Sequence, residues 1–421
     1  MVSLAVIADD FTGCTDAEIQ LFSYPVNTVS LLPQAPFERF LKDYDVLMID
    51  NEARFAHKNE AYLSTRNLAI RLVNSGVRRI YKKVDSTVRG NIGSEIDAVL
   101  DALGGDRCVL VPAYPDNGRT TRNGHHYVNG KLISDTEFAN DPVHPVRCSN
   151  ISELLQSQAN RQVGTVFIQA VRSGAVALSD RMRAEWEGEA KILVVDAETN
   201  RDLEIIAEAL RQLDEFDLIA GSAAMLSAAF EKMNIAGQRP ELPAAIDAPT
   251  LVVCGSLHPD SAEQIQRLVD ERQAQLIELN VRRLCDKDSE REEAARSIDE
   301  TGTALDRGGL AVITTHTNRL PKQEAAGLTD VLMKRLGAIV YGLTEKHGVR
   351  NFYLVGGQTS FAICTTLGLD GLTVLQEIEP GIPVCRNVGG KHDLRLAAKP
   401  GGFGSLEALV KGIDLLRGQT S

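Results

Sequence analysis

The stretch YKKVDSTVRGNIG, residues 81–93, decides how the rest of the chain is read. Val77, Ile80 and Val84 lead into it as an apolar strand, and Ile96, Val99 and Leu103 beyond it fall at helical spacing. It is therefore a strand-to-helix turn, and such turns in an α/β sheet lie at the carboxyl edge of the strands, where ligands bind. Lys82, Lys83 and Arg89 stand there beside Asp85, Ser86, Thr87 and Asn91; the cations suit an anionic ligand, and Asp85 and Ser86 its hydroxyls. Successive strand residues point to opposite faces, so at most one lysine faces a site from within the strand. The other is expected in solvent.

Short apolar runs ending in small or polar residues recur on both sides of this turn. LAVIADD (4–10), VLMIDNE (46–52), CVLVPAYP (108–115), TVFIQA (165–170), ILVVDAE (192–198) and LIAGSAA (218–224) alternate with helical segments. That is the pattern of a parallel sheet covered on both faces. QRPELPAAIDAPT, residues 238–250, places three prolines in a stretch without period and reads as a linker. The alternation resumes with LVVCGS (251–256), LIEL (276–279), LAVITT (310–315), YLVGGQTS (353–360) and LRLAAK (394–399). The expected fold is α/β in two domains, 1–237 and 251–421, each a mostly parallel sheet flanked by helices, with a ligand cleft between them.

At 421 residues with 43% hydrophobic and 24% charged residues, the chain has ample material for a globular core, and it has no apolar run near membrane-spanning length. MVSLAVIADDFTG lacks the basic start of a signal peptide, so a cytoplasmic location is expected. A net charge of −12 disfavours nucleic acid and anionic membranes as partners, leaving a small anion bound locally. Seven cysteines, odd in number and without CxxC spacing, fit reduced thiols rather than a disulfide framework or a zinc site.

Asp9 and Asp10 follow the first strand directly, and paired carboxylates at a strand end accept protons or bind hydroxyls. Helix capping by Thr12 or Thr15, with one aspartate solvated, is the plainer alternative. Arg54, just beyond VLMIDNE, is a natural fork for a carboxylate, or simply a surface arginine. Pro112–Pro142 forms a long excursion in which Asn129-Gly130 marks a tight hairpin, suited to covering a site or reaching another subunit of a homo-oligomer. His125, His126, His144 and Cys148 invite a metal reading, but adjacent hairpin histidines project to opposite faces. In the second half, Cys254-Gly-Ser, Val355-Gly-Gly-Gln-Thr-Ser and Lys399-Pro-Gly-Gly-Phe-Gly each follow a strand, where exposed amides can cradle phosphate. The P-loop pattern is absent, and so is the dinucleotide fingerprint at the first strand turn.

As a set, IADDFTG, YKKVDSTVRGNIG, PAYPDNGRTT with GHHYVNG and TEFANDP, VVCGSLHP, LVGGQTS, EIEPGIP and KPGGFG resemble the four-carbon acid sugar kinases. The resemblance implies a sugar-acid-binding domain over 1–237, a linker over 238–250 and a nucleotide-binding domain over 251–421. It also implies phosphate transfer from ATP, with Mg²⁺, to the terminal hydroxyl of an acid such as threonate, erythronate or 3-oxo-tetronate. Asp9, Asp10, Arg54, the run Lys82, Lys83, Val84, Asp85 and Ser86, and Arg89 would meet the acid sugar, with Asp10 as general base. Ser256, Gly356, Gly357, Gln358, Thr359, Gly401, Gly402 and Gly404 would meet ATP; no metal ligand is assigned. Two departures stand out: Gln358 replaces the family's usual acidic residue, and the first helix, taken to run through QLFSYPVNTVSLL, leaves a short stretch before the second strand. Gln358 keeps open the alternative of a non-catalytic sensor derived from such a kinase.

Overall fold

The computed structural model describes residues 2–141, 144–213, 216–315 and 327–418. Contacts divide the chain into two compact units, Met1–Arg239 and Pro240–Ser421. Residues 235–249 contain no helix or strand. Among the described residues, no helix is long and apolar enough to cross a membrane.

In the first unit, one parallel sheet is built from β1 (Leu4–Ala8), β2 (Thr28–Leu31), β3 (Val46–Asp50), β4 (Ile80–Lys83), β5 (Cys108–Val111), β9 (Val163–Val166), β10 (Ile192–Val195) and β11 (Leu218–Gly221). The order is β2-β3-β1-β4-β11-β5-β10-β9. A strand such as LAVIA is buried at every position because helices cover both faces. The chain passes from β3 on one side of β1 to β4 on the other, and this reversal opens the crevice where α/β sheets bind ligands. Register aligns the edge: Ala8 lies beside Asp50, and Ile7 beside Lys82. Beyond β5, β6 (Arg119–Arg122), β7 (His125–Val128) and β8 (Lys131–Leu132) form a separate antiparallel sheet. Asn129 and Gly130, with φ of 49° and 78°, make its expected tight turn.

Two sequence expectations give way here. The TVFIQA strand stops at Val166, and Ile168–Arg172 is helical. QLFSYPVNTVSLL is not helix beyond Gln20: Thr28–Leu31 is β2, whose residues are all buried and begin with the β-branched pair Thr28 and Val29.

The second unit orders its strands β13 (Gln275–Glu278), β14 (Leu310–Thr314), β12 (Thr250–Cys254), β15 (Asn351–Val355), β18 (Arg395–Lys399), β17 (Ile382–Gly389) and β16 (Leu369–Glu379). The first five are mutually parallel, and β17 and β16 add an antiparallel hairpin. Cys254, Val355 and Lys399 lie side by side, so the three glycine turns that follow them share one edge.

Neither lysine of the opening stretch is solvated. Strand alternation sends Lys82 and Lys83 to opposite faces, and each face is covered by a helix carrying a carboxylate. Lys82 Nζ meets Glu95 of α2 (Ile92–Leu103) at 2.9 Å, with both side chains almost fully buried. Lys83 Nζ meets Asp16 of α1 (Phe11–Gln20) at 3.3 Å. Removing one partner of a buried pair strands the other charge, at a cost of about 3–5 kcal/mol. Lys82→Met is therefore expected to destabilise the first unit by that order, and Lys82→Met/Glu95→Leu to recover most of it. Urea unfolding followed by fluorescence of Trp186, the chain's one tryptophan, measures both.

Candidate functional site

Three adjacent strands of the first unit deliver the predicted residues to one edge. Asp10, in extended conformation, caps α1: its Oδ1 accepts from Gly13 N–H at 2.7 Å and its Oδ2 from Thr12 Oγ1 at 2.6 Å. The cap is thus Asp10 itself, not Thr12 or Thr15. Arg54 is no surface residue either. It is 6% exposed, forks onto Asp9 through Nε and Nη2 at 2.9 Å each, and reaches Asp10 through Nη1. Burial alone would raise the Asp9 pKa, but Arg54 and then Lys82 hold it below the ordinary value. Asp16 goes the other way, raised by burial against the pull of Lys83. Asp50, at the end of β3, is raised well above the usual range by burial and by Asp10 and Asp9, although it accepts Glu52 N–H at 2.8 Å.

The turn after β4 is equally bound up. Asp85 accepts from Thr87 Oγ1 and Arg89 Nε, both at 2.6 Å, and despite burial Arg89 and Arg54 keep it strongly ionised. Val88 is buried with φ of 53°, a left-handed conformation costly for a β-branched residue and the kind of strain that collects at functional loops. Val84 is buried behind the turn, and Ser86 is partly exposed on it.

The histidine pair divides as expected, His126 buried and His125 partly exposed. His126 then does what the sequence did not disclose. Its Nε2 lies 2.8 Å from Ser86 O and its Nδ1 3.1 Å from Thr121 Oγ1, so Nε2–H donates to the turn while Nδ1 accepts from the threonine. Burial lowers its pKa to about 4, which keeps the ring neutral and the arrangement fixed. The excursion also packs on the turn at Arg89, through Asp141 at 3.4 Å and the ring of Phe138. Pro142, which ends the excursion, lies outside the described residues. No cluster of metal-ligating side chains occurs among the described residues.

In the second unit the turns after Cys254 and Val355 line a cavity of about 290 Å³. Leu257, Val281, Leu332 and Met333 give it apolar walls; Ser256 and Gly356–Thr359 give it polar ones. The helix Gly357–Thr366 starts at this polar wall, so its unpaired amides and positive end face the cavity with the polarity that suits an anion. Gly356, at φ of 113°, is the required bend. Gln358 is exposed and Thr359 buried on the first turn of this helix. At Gly401 a Cβ would lie 2.1 Å from Ser256 Oγ, so that glycine lets two turns meet. Gly404 answers a different need, because a Cβ there would strike Ala408 and Ile382.

Lys399 holds the last loop. Its ammonium donates to the carbonyls of Pro400, Gly401 and Phe403 at 3.2, 2.8 and 2.9 Å. Gln264 takes those of Phe403, Gly404 and Ser405.

Both halves of the chain match known families. Residues 4–229 match the family described as a sugar-binding N-terminal domain, and 251–409 the one described as a nucleotide-binding C-terminal domain. The chain is 31% identical to a D-threonate kinase of Salmonella typhimurium, over 96% of each chain. The chain belongs to the four-carbon acid sugar kinase family. It is also 29% identical to a 3-oxo-tetronate kinase of Brucella melitensis, covering 96% of this chain and 93% of that one. A D-erythronate kinase of Heliobacterium modesticaldum is 27% identical over 99% and 97%. Among solved structures, a Haemophilus influenzae protein of family DUF1537 superposes with a TM-score of 0.75 at 25% identity, covering 98% of this chain and 100% of that one.

Burial pushes the Lys399 amine down to about 8 from its usual 10.5. The proton is therefore lost between pH 7 and 9, and a neutral amine has two N–H groups for three carbonyls. A nucleotide held by this loop is expected to bind progressively more weakly above pH 8. Lys399→Met should bind weakly at every pH, with a flat profile. Calorimetric titration with an ATP analogue across pH 6.5–9.5 checks both; an unchanged profile in the variant would detach Lys399 from the loop's function.

Proposed function

We propose that the protein transfers the γ-phosphate of ATP to the terminal hydroxyl of a four-carbon acid sugar of the threonate, erythronate or 3-oxo-tetronate class. The observation that carries this is similarity to such kinases along the whole chain, with a sugar-type polar edge in one unit and a glycine-lined cavity in the other. The sensor alternative rested on Gln358 alone, and the kinase relatives do not favour it.

Phosphoryl transfer asks mainly for positioning and charge stabilisation. The apolar walls at Leu257, Val281, Leu332 and Met333 suit a nucleoside base. The Ser256, Gly356–Thr359 and Gly401–Gly404 turns suit the phosphates. Mg²⁺ would travel with ATP, held chiefly by phosphate oxygens, a habit of this ion. On the sugar side, Asp85 and Ser86 would take hydroxyls, with Asp9 behind them holding Arg54. Asp10, whose side chain is 22% exposed against 1% for Asp9, is the more accessible carboxylate of the pair and the proposed base. Arg54 orients it. A small acid and ATP meet in the cytoplasm, the compartment we propose.

The test is an ADP-release assay with D-threonate, D-erythronate and 3-oxo-tetronate in the presence of Mg²⁺. Turnover of at least one is expected, and binding without turnover of all three would contradict the proposal. Asn caps helices as well as Asp does, so Asp10→Asn should fold normally while kcat falls ~10²-fold. An unchanged kcat would remove Asp10 from the chemistry.

A further inference from the structure

Every cation named so far at the sugar edge already has an internal carboxylate. Arg54 holds Asp9 and Asp10, Lys82 holds Glu95, Lys83 holds Asp16, and Arg89 holds Asp85 and Asp141. A substrate carboxylate arriving there must compete with these pairs for each guanidinium or ammonium. Arg119, the first residue of β6 in the PAYPDNGRTT segment, differs. Among the described residues it forms no ion pair, its Nη1 donates only to the carbonyl of Asn117, and its buried Nε has no hydrogen-bond partner.

Its backbone is firmly placed. Arg119 and Tyr114 exchange both main-chain hydrogen bonds, at 2.8 and 3.0 Å, closing the turn over Pro115–Asn117. The Tyr114 hydroxyl accepts from Gln20 at the end of α1. Two residues on, Thr121 meets His126, which holds Ser86 of the site turn. Arg119 therefore stands on the same scaffold as the turn after β4. Burial lowers its pKa, and the carboxylates of Asp85, Glu137 and Asp16 do not make up the difference. Arginine stays charged regardless, so this is a guanidinium short of a counter-ion.

We propose that Arg119 is the specificity-determining cation that receives the carboxylate of the acid sugar and so distinguishes an acid from the neutral polyol of the same length. This rests on the kinase reading above. A planar fork suits a carboxylate, and among the described residues no carboxylate of the protein is paired with this one. Asp10 and the turn after β4 are then left to manage hydroxyls.

The test pairs two variants with two ligand types. For wild type, Arg119→Met and Arg119→Lys, kcat and KM are measured with whichever of D-threonate, D-erythronate and 3-oxo-tetronate the wild type phosphorylates. The inhibition constants of threitol and erythritol are measured alongside. Arg119→Met is expected to raise KM for the acid about 10- to 100-fold, the usual worth of a hydrogen bond to a charged group, with little change in kcat. The polyol inhibition constants should stay put, and Arg119→Lys should recover part of the loss. An equal loss for acid and polyol, or no loss for either, overturns the role of Arg119 while leaving the kinase intact. Failure of the wild type to phosphorylate any acid overturns the kinase reading and this inference with it.

Discussion

Arg54 holds two carboxylates at once, and the sugar edge is organised around that grip. Asp9 and Asp10 leave β1 as neighbours whose charges repel; a guanidinium between them turns that liability into a rigid unit. Asp10 in turn fixes the start of α1, and α1 carries the Asp16 that neutralises Lys83. On the opposite face Lys82 and Glu95 repeat the device in full burial. Buried charge is tolerated only when it is paired, so each of these residues constrains the next. The strained Val88 turn and the neutral His126 sit on this compensated base.

The same economy explains the difference between the two units. The first arranges side-chain charges, as recognition of a small polyhydroxylated acid requires. The second arranges backbone: three strands end in register, three glycine turns follow, and Lys399 with Gln264 gathers the last loop's carbonyls. Amides and a helix terminus can take phosphate without side-chain carboxylates, and Gln358 stands exposed on the first turn of that helix.

Much of this was legible in the chain. Continuous apolar runs ending in Asp-Asp, Asp-Asn-Glu or Gly-Gly mark buried parallel strands and their carboxyl edge at once, because only there does the chain switch from burial to ligand chemistry. β2 was hidden since its four residues follow a proline and an asparagine within what looks like a continuing helix. The β16–β17 hairpin was hidden because three register shifts break its alternation. The partners of the site charges were harder to see. Glu95, Asp16 and Asp141 are unremarkable acids in sequence, and only the fold shows that they take up the lysines and Arg89. Arg119 lies inside the PAYPDNGRTT motif, yet nothing along the chain distinguishes an arginine with a carboxylate from one without.

The central claim is that the acid sugar and the nucleotide are received by two separate, preassembled edges. Amide hydrogen exchange with each ligand alone tests it most directly. D-threonate is expected to protect residues 9–16, 82–91 and 119–126 only, and an ATP analogue residues 255–258, 356–360 and 399–405 only. Protection of the glycine turns by the acid, or of the Asp9–Asp10 and Lys82–Arg89 segments by the nucleotide alone, would contradict it.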